Sequence, residues 1–333
     1  MSNRPIIALT LGDPSGIGPE VMAKALAHSD VLASCHPLII GNVPILNKTI
    51  KDLGLTLDVT PVSSAAEASE NAVSILDSGN LNAEDIVPGR ISAAAGKASV
   101  EWILQAGELA LSGQVQAIAT APIHKEAARA AGYKDIGHME LLQSLTGAKE
   151  VATMLTAGNL RVVHLTTHRT LASAIEYVTK DHILAKLELT HRSFQEWGFP
   201  TPRIAVAALN PHGGDGGLLG REEIDEIAPA VEEARSQGME VTGPVPADSV
   251  FPQAIAGRYD AILVLYHDQG HIPIKVKDFA GSVSINLGFS FVRTSVDHGT
   301  AFDIAGKGVA DETGMMEAIR AAAFIASTGH LPE

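Results

Sequence analysis

The sequence predicts an α/β protein with two lobes. Its 333 residues exceed the usual length of one domain, and a hydrophobic content of 46% supplies an ample core. Short apolar runs alternate with longer stretches of helical period, which is typical of parallel βα units whose sheet is covered on both faces.

Each element follows from this alternation. We predict strands over residues 6–11, 37–40, 116–120, 162–166, 203–209, 261–266 and 283–287. We predict helices over residues 19–28, 96–112, 179–197, 222–237 and 312–327. Their expected ends are Pro19 in a first turn, Thr179 as an N-cap, and a glycine after three last turns (Gly113, Gly198, Gly238). Pro229 should kink the fourth helix, and residues 77–99 read as a surface loop or a flap beside a cleft.

Composition excludes several classes of protein. The net charge of −14 would repel a polyanion, so we expect no nucleic-acid binding. A single cysteine, Cys35, excludes an internal disulfide framework and a cysteine-based metal site. The first apolar stretch is seven residues long and is broken by Gly12 and Asp13, which fits neither a signal peptide nor a membrane span. A cytoplasmic location is expected.

Three histidines follow predicted strands: His168 in "RVVHLTTH", His212 in "RIAVAALNPH" and His267 in "AILVLYHD". Ligands of open α/β sheets bind at the carboxyl ends of strands, so these imidazoles can converge. Three nitrogen donors with open positions suit a catalytic divalent cation, with Zn, Mn, Co or Fe favoured over Mg. Any one of them alone is more often an ordinary loop histidine.

Basic groups cluster near the same strand ends in this acidic chain, namely His124, Lys125, His138, Lys275 and Arg293. Such groups bind phosphate or carboxylate, which favours a local anion pocket over five solvated charges. Asp248 in "PADSVF" is a candidate base, a partner of a ligand, or a turn aspartate.

Two glycine-containing segments stand near the ends of the chain. "TLGDPSGIGPEVM" is not the dinucleotide fingerprint, because Val21 occupies the third glycine position. "SVDHGTAFDIAGKGVAD" has glycines that allow a backbone to approach a ligand, or it is an ordinary connection before the last helix.

Together these segments carry a resemblance. "GDPSGIGPEV" is similar to the GDGIGPEV element of isopropylmalate and isocitrate dehydrogenases, and "DHGTAFDIAGKG" resembles their loop that holds the adenosine of NAD. Over residues 6–307 the chain resembles the 4-hydroxythreonine-4-phosphate dehydrogenase family through "GDPSGIGPE", "TAPIHK", "GHME", "TTH", "LNPHGGDGG", "PADS", "YHDQG" and "RTSVDHGTA". The resemblance implies an isocitrate/isopropylmalate dehydrogenase-like fold of two α/β/α domains with a cleft between them. It places an NAD-binding domain over 1–130 plus 275–333, and a metal- and substrate-binding, dimer-forming domain over 131–274.

The resemblance also implies site residues. The metal ligands are His168, His212 and His267 on Zn, Mn, Co or Mg, at a homodimer interface where we expect His267 to come from the other subunit. The implied substrate contacts are His138, Lys275 and Arg293. Met139 stands where the family has a threonine. Ser284 aligns with a family asparagine that contacts the substrate, and an asparagine, Asn286, follows two residues later. Asp303 would bind the adenosine ribose and favour NAD over NADP. The other implied cofactor residues are Gly12, Gly16, Gly18, His298, Gly299, Thr300 and Gly306, of which the first three should border the nicotinamide.

The implied reaction is NAD- and metal-dependent oxidation and decarboxylation of a small phosphorylated hydroxy acid. His138 would orient the substrate or protonate the enolate, and the base is Lys125, Asp248 or a water molecule. "HDQGHIPIK", with His271, is more similar to the branch acting on 4-phospho-D-threonate or 4-phospho-D-erythronate than to the vitamin B6 branch. A further branch oxidises a terephthalate dihydrodiol. A metal-dependent phosphatase or hydrolase, and a ligand-sensing relative, are the alternatives from other classes.

Overall fold

The computed structural model describes residues 4–68 and 72–332. The chain forms two compact units: Met1–Ala148 with Phe289–Thr328, called the first unit, and Lys149–Gly288 with Gly329–Glu333, called the second unit. The boundaries fall after residues 148 and 288, not after 130 and 274 as expected. Consequently His138 and Met139 belong to the first unit, whereas Lys275, Ser284 and Asn286 belong to the second.

The described residues form twelve strands. In chain order they are β1 (Ile6–Thr10), β2 (His36–Ile40), β3 (Val59–Val62), β4 (Val73–Leu76), β5 (Ala117–Thr120), β6 (Ala152–Ala157), β7 (Leu160–His164), β8 (Ile204–Ala207), β9 (Val241–Val245), β10 (Ala261–Val264), β11 (Val283–Leu287) and β12 (Val292–Val296). All seven predicted strands are among them.

The described residues also form twelve α-helices. They are α1 (Gly18–Leu26), α2 (Ser29–Ser34), α3 (Val43–Asp52), α4 (Ala93–Leu111), α5 (Lys125–Ala130), α6 (His138–Thr146), α7 (Leu171–Tyr177), α8 (Lys180–Glu196), α9 (Ala228–Ser236), α10 (Ala247–Ile255), α11 (His267–Lys277) and α12 (Thr313–Thr328). No helix within residues 4–68 and 72–332 is long and apolar enough to span a membrane.

Helix ends follow the local chemistry of the sequence. The Thr179 side chain accepts a hydrogen bond from the backbone N–H of His182 and caps α8. The glycines after α4, α8 and α9 have φ angles of 72°, 91° and 87°, as left-handed helix stops require. Pro229 does not kink one long helix. It lies in the first turn of α9, directly after a π-helical turn over Glu223–Ile227 that absorbs the irregularity.

The first unit contains a parallel sheet in the order β3-β4-β2-β1-β5-β12. Helix α12 packs on β12 and β5, and α4 packs on β1. The core is built from the apolar strand residues and fully buried side chains such as Met22 and Trp102. The carboxyl ends of β1, β5 and β12 therefore lie side by side and carry the loops that form the candidate site.

The second unit contains a mixed sheet in the order β11-β6-β7-β10-β8-β9. Strand β6 runs antiparallel to both β7 and β11, so the expectation of purely parallel sheets is wrong here. Strands β6 and β7 form a hairpin whose two-residue loop is Gly158-Asn159, with Gly158 at φ 53°. This glycine-asparagine pair is a hairpin signal that the sequence interpretation overlooked.

Candidate active site

The glycines of the loop between β1 and α1 allow close packing of protein on protein. A Cβ on Gly16 would lie 2.8 Å from the Thr300 carbonyl oxygen, and one on Gly12 would lie 2.5 Å from the Pro122 carbonyl oxygen. The Ile17 N–H donates to the Thr300 carbonyl at 3.0 Å. Any larger residue would separate these backbones. The two segments that carry the family resemblance are therefore in direct contact.

A cavity of about 260 Å³ lies beside this contact, within the first unit. It is lined by Pro14, Gly16, Pro19, Glu20, Ile45, Lys48, Thr49, Asp52, Leu53, Ala83, Ile86, Pro88, Gly306, Lys307 and Gly308. Its size is slightly below the ~300–1,000 Å³ of pockets for drug-sized ligands, which leaves room for part of a dinucleotide. The predicted flap over residues 77–99 contributes three of the lining residues.

Two of the predicted cofactor residues, Gly16 and Gly306, line this cavity. The other six do not: Gly12, Gly18, His298, Gly299, Thr300 and Asp303. Asp303 is exposed to solvent. Glu20 lines the cavity from the first turn of α1 and is buried, yet the sequence interpretation gave it no role. Acidic residues are common in the first turn of helices, so the sequence pattern alone does not mark Glu20 as a residue of the cavity.

Arg293 on β12 is a buried cation, with 4% of its surface exposed. Its Nη2 donates to Thr120 Oγ1 at 2.5 Å, and Thr120 Oγ1 donates to Ser295 Oγ at 3.0 Å. Burial lowers the pKa of Arg293 to about 9. A guanidinium stays protonated in proteins, so this shift reflects a desolvated charge that a bound anion would stabilise.

His138 is the first residue of α6, and its Nε2 is enclosed and makes no hydrogen bond within the described part of the chain. Burial, followed by the positive charges of Arg293 and then Lys125, lowers the pKa of His138 well below its usual value. The imidazole is neutral at neutral pH. The first unit thus brings three predicted residues, His138, Lys125 and Arg293, within electrostatic reach of each other. His124 stacks on Phe302 at 4.5 Å between ring centroids.

The remaining predicted substrate residues lie in the second unit, apart from Met139 in the first turn of α6. Lys275 on α11 donates from Nζ to Ser282 Oγ at 3.2 Å. Ser284 and Asn286 are buried on β11, two residues apart, so their side chains project from the same face. Asn286 Nδ2 lies 3.4 Å from the Ala152 carbonyl oxygen. Asp248 lies exposed in the first turn of α10.

Two of the three predicted metal ligands are neighbours in one chain. The ring centroids of His168 and His267 are 6.0 Å apart. His267 begins α11, stacks on His271 at 3.6 Å, and places Nδ1 2.6 Å from Asp268 Oδ1. An Nδ1 bonded to a carboxylate leaves Nε2 to bind a cation, the arrangement usual for histidine ligands.

The third predicted ligand, His212, lies on a strained loop. Residues 212–216 all have positive φ angles, including the non-glycine residues His212 at 54° and Asp215 at 44°. Each non-glycine residue in this region costs about 1–3 kcal/mol, and such strain clusters at functional sites. His212 Nδ1 lies 3.3 Å from Asp215 Oδ2, which again leaves Nε2 available. The side chain is 70% exposed.

The three predicted imidazole ligands suit a divalent cation, but a single chain does not bring all three together in a metal-binding arrangement. Two imidazoles on one zinc ion, with bonds of about 2.0–2.1 Å, have ring centres about 5 Å apart, close to the His168–His267 separation. Over residues 4–68 and 72–332, however, no group of three or more His, Cys, Asp or Glu side chains is arranged to hold a metal ion. A single chain offers a pair of ligands and a third on an exposed loop.

Comparison with known proteins defines the class. The crystal structure of 4-hydroxythreonine-4-phosphate dehydrogenase from Klebsiella pneumoniae is 41% identical and covers 97% of this chain and 99% of its own, with a TM-score of 0.90. The corresponding structure from Burkholderia phymatum is 44% identical, with coverages of 96% and 98% and a TM-score of 0.84. The D-threonate 4-phosphate dehydrogenase of Cupriavidus necator is 44% identical over 326 residues, 97% of this chain and 98% of its own. The chain is a dehydrogenase with an isocitrate/isopropylmalate dehydrogenase-like fold.

The family can be stated more closely. The family model described as pyridoxal phosphate biosynthetic protein PdxA matches residues 33–322. The chain belongs to the PdxA family. The phosphatase and hydrolase alternatives are set aside by this membership.

Proposed function

We propose that the protein oxidises and decarboxylates 4-phospho-D-threonate, using NAD and a divalent cation, to give dihydroxyacetone phosphate, carbon dioxide and NADH. The observation that carries the proposal is the buried Arg293 beside neutral His138 and Lys125. Two positive side chains, one of them buried and oriented by the Thr120 hydroxyl, suit an anionic substrate. The substrate is taken from the D-threonate 4-phosphate dehydrogenase relative, and "HDQGHIPIK" with His271 favours the same branch.

The proposed chemistry balances in two steps. The C3–H bond breaks and its hydride passes to NAD, while the C3 hydroxyl gives its proton to a base, which yields a 3-keto acid. The C1–C2 bond then breaks, carbon dioxide leaves, and a proton is added at C2. His168, His212 and His267 would hold the divalent cation, which when bound polarises the substrate oxygens and stabilises the negative charge of both steps.

The side chains have separate tasks in this proposal. Arg293 and Lys125 bind the anionic groups of the substrate, and the substrate contact expected of Lys275 stays a prediction. Neutral His138, whose Nε2 is enclosed, orients the substrate and is suited to move the proton that quenches the enolate. Arg293 itself is held by the Thr120–Ser295 hydroxyl pair, so its guanidinium is oriented before any ligand arrives.

The proposed NAD site is the cavity of the first unit. Its wall includes Gly306, Lys307 and Gly308 of the loop that resembles an adenosine-binding segment. Asp303 is exposed and does not line this cavity. Its contact with the adenosine ribose, and the preference for NAD over NADP that would follow from it, stay predictions.

We further propose that a second copy of the chain completes the metal site. The second unit exposes nine large apolar side chains: Leu171, Ile175, Leu218, Leu219, Ile224, Ile255, Ile272, Val276 and Phe279. Ile272 and Val276 lie on the helix that begins with His267, and Leu218 and Leu219 follow the His212 loop. Apolar surface around incomplete ligands favours an interface between two copies.

A substrate panel tests the proposed function. Purified protein with NAD and Mn or Zn is given 4-phospho-D-threonate, 4-phospho-D-erythronate or 4-phosphohydroxy-L-threonine, and the absorbance of reduced nicotinamide is followed. We expect the fastest reduction, with equimolar release of carbon dioxide, from 4-phospho-D-threonate. Activity with 4-phosphohydroxy-L-threonine alone would reassign the substrate, and hydride transfer without carbon dioxide would remove the second step.

A further inference from the structure

The cavity wall formed by residues 306–308 is attached to α1 by one buried ion pair. Glu20 and Lys24 lie one helical turn apart on α1, with Glu20 Oε1 3.0 Å from Lys24 Nζ. Their side chains are only 5% and 17% exposed. Both residues point away from their own helix toward the segment that follows the predicted adenosine loop.

The two side chains bind the backbone N–H groups and the backbone carbonyls of the same two residues, Gly308 and Ala310. Glu20 accepts from the N–H of Gly308 at 3.2 Å and from the N–H of Ala310 at 2.7 Å. Lys24 donates to the carbonyl of Gly308 at 3.0 Å and to that of Ala310 at 2.6 Å. Four charge-assisted hydrogen bonds therefore fix this stretch of backbone, and such bonds are about twice as strong as neutral ones.

The fixed stretch has further contacts: the Lys307 N–H donates to the Ile304 carbonyl at 3.1 Å, and Ala310 is buried in the core. Gly306 and Gly308 have φ angles of 74° and 72°, a region that glycine enters freely, so the backbone itself does not hold the loop. The neighbouring Val309 side chain is 65% exposed, and Lys307 is also exposed. The ion pair thus helps to set where the loop lies relative to the opposite wall, which Ile45 of α3 and the C-cap residue Leu53 provide.

We propose that Glu20 and Lys24 are positioning residues for the nucleotide: they set the width of the cavity and thereby the affinity for the adenosine half of the cofactor. This inference rests on the proposed use of NAD. Neither side chain is assigned a part in hydride transfer, so their loss should weaken cofactor binding without slowing the reaction of the bound complex.

The test compares Lys24→Met with Lys24→Arg and with Arg320→Met. Methionine keeps the length of the side chain but removes both bonds to the carbonyls, whereas arginine keeps the charge and the donors. Arg320 on α12 pairs with Asp30 on α2 and with Glu317 on its own helix, also in the first unit but outside the cavity lining, so Arg320→Met is a control for the loss of ion pairs elsewhere in the unit. Glu20→Gln provides the reciprocal change if Lys24→Met folds poorly by circular dichroism.

Calorimetry gives the dissociation constants of NAD and of ADP-ribose, and steady-state kinetics give kcat at saturating NAD. For Lys24→Met we expect both constants to rise about tenfold, with kcat within about twofold of the wild type. Lys24→Arg should restore most of the affinity, and Arg320→Met should change neither constant. Hydrogen exchange of the Gly308 and Ala310 amides should accelerate in Lys24→Met only.

Three results would overturn the inference. Unchanged NAD affinity despite faster amide exchange would show that the attachment does not shape the site. A fall in kcat with unchanged affinity would place the pair in the reaction instead. Equal losses in Arg320→Met would reduce the effect to general destabilisation. Failure of the wild type to bind NAD at all would defeat the proposed function itself, and this outcome is visible before any variant is made.

Discussion

The two units differ in how they hold their functional side chains. The first unit encloses them: Arg293 and Glu20 are each 4% exposed and bonded to neighbouring groups of the same chain. The second unit leaves His212 and His267 70% and 39% exposed. The contrast agrees with the proposal that one chain preforms the anion site, whereas the proposed metal site needs the surface of a second copy. Burial of charge is costly, and the guanidinium of Arg293 is oriented by the Thr120 hydroxyl, which suits it to bind an anion.

The largest effect should come from removing the enclosed cation. Arg293→Met is expected to lower kcat/KM about a thousandfold, because a charged, oriented contact to the substrate is lost. The free energy of unfolding should stay the same or rise, since a desolvated charge is replaced by an apolar side chain. Steady-state kinetics and urea unfolding provide the two measurements.

Arg161 supplies the control for that variant. It is also buried, but it donates to the Pro332 carbonyl at 2.8 Å and lies over the Phe199 ring at 5.3 Å. Arg161→Met should cost about 1–3 kcal/mol of stability and leave kcat/KM unchanged. Equal losses of stability in Arg293→Met and Arg161→Met would contradict the assignment of Arg293 to ligand binding and of Arg161 to structure.

Mixed dimers test whether the second unit is completed by a partner. Single variants His168→Ala, His212→Ala and His267→Ala should each be inactive and bind metal weakly. If each site takes His168 and His267 from one chain and His212 from the other, a mixture of the His168 and His212 variants regains about a quarter of the wild-type activity. A mixture of the His168 and His267 variants then stays inactive.

The reverse outcome would assign the crossing ligand to His267, as the sequence-based expectation has it. The proximity of His168 and His267 favours the first outcome. Activity regained in neither mixture would mean that all three ligands come from one chain, against the proposed interface.

The apolar surface of the second unit offers a smaller test. Val276 is 82% exposed on α11, and Val276→Glu should shift the protein toward a monomer and weaken metal binding about tenfold or more. Phe324→Glu, at a 43% exposed position in the first unit, is the matched change and should leave both properties as they are. Sedimentation and zinc titration measure them. A dimer that survives Val276→Glu with full metal affinity would move the interface elsewhere.

The smallest expected effect is the pH dependence of stability due to His138. Its pKa in the folded state is well below 6.5, so below about pH 6.5 the unfolded chain binds a proton that the folded chain does not. The free energy of unfolding should therefore fall as the pH falls, by about 1.4 kcal/mol per pH unit for this group. His138→Gln should remove that part of the slope in urea unfolding at pH 7.5, 6 and 5. Parallel curves for the two proteins would contradict the burial of the imidazole.

The sequence predicted those strands whose residues are all apolar. Fully apolar strands such as "AILV" at Ala261–Val264 were found because they are buried on both faces. The strand "VTPV" at Val59–Val62 was missed because Pro61 and half-exposed positions conceal it, and "VRTSV" was missed because Arg293 interrupts its apolar pattern. The domain boundaries that the family resemblance implied, after residues 130 and 274, differ from those of the two compact units, which fall after residues 148 and 288.

The sequence by itself determined the order of parallel βα units, the helix ends, and three histidines after strand ends, because these depend on local periodicity and on residues adjacent in the chain. Only the tertiary structure decided that Arg293 is buried beside His138, that Glu20 and Lys24 attach a loop almost 290 residues away, and that the His168 and His267 rings lie 6.0 Å apart. Burial and long-range pairing depend on which segments meet in space. Chain position does not encode that directly, so no local pattern revealed it.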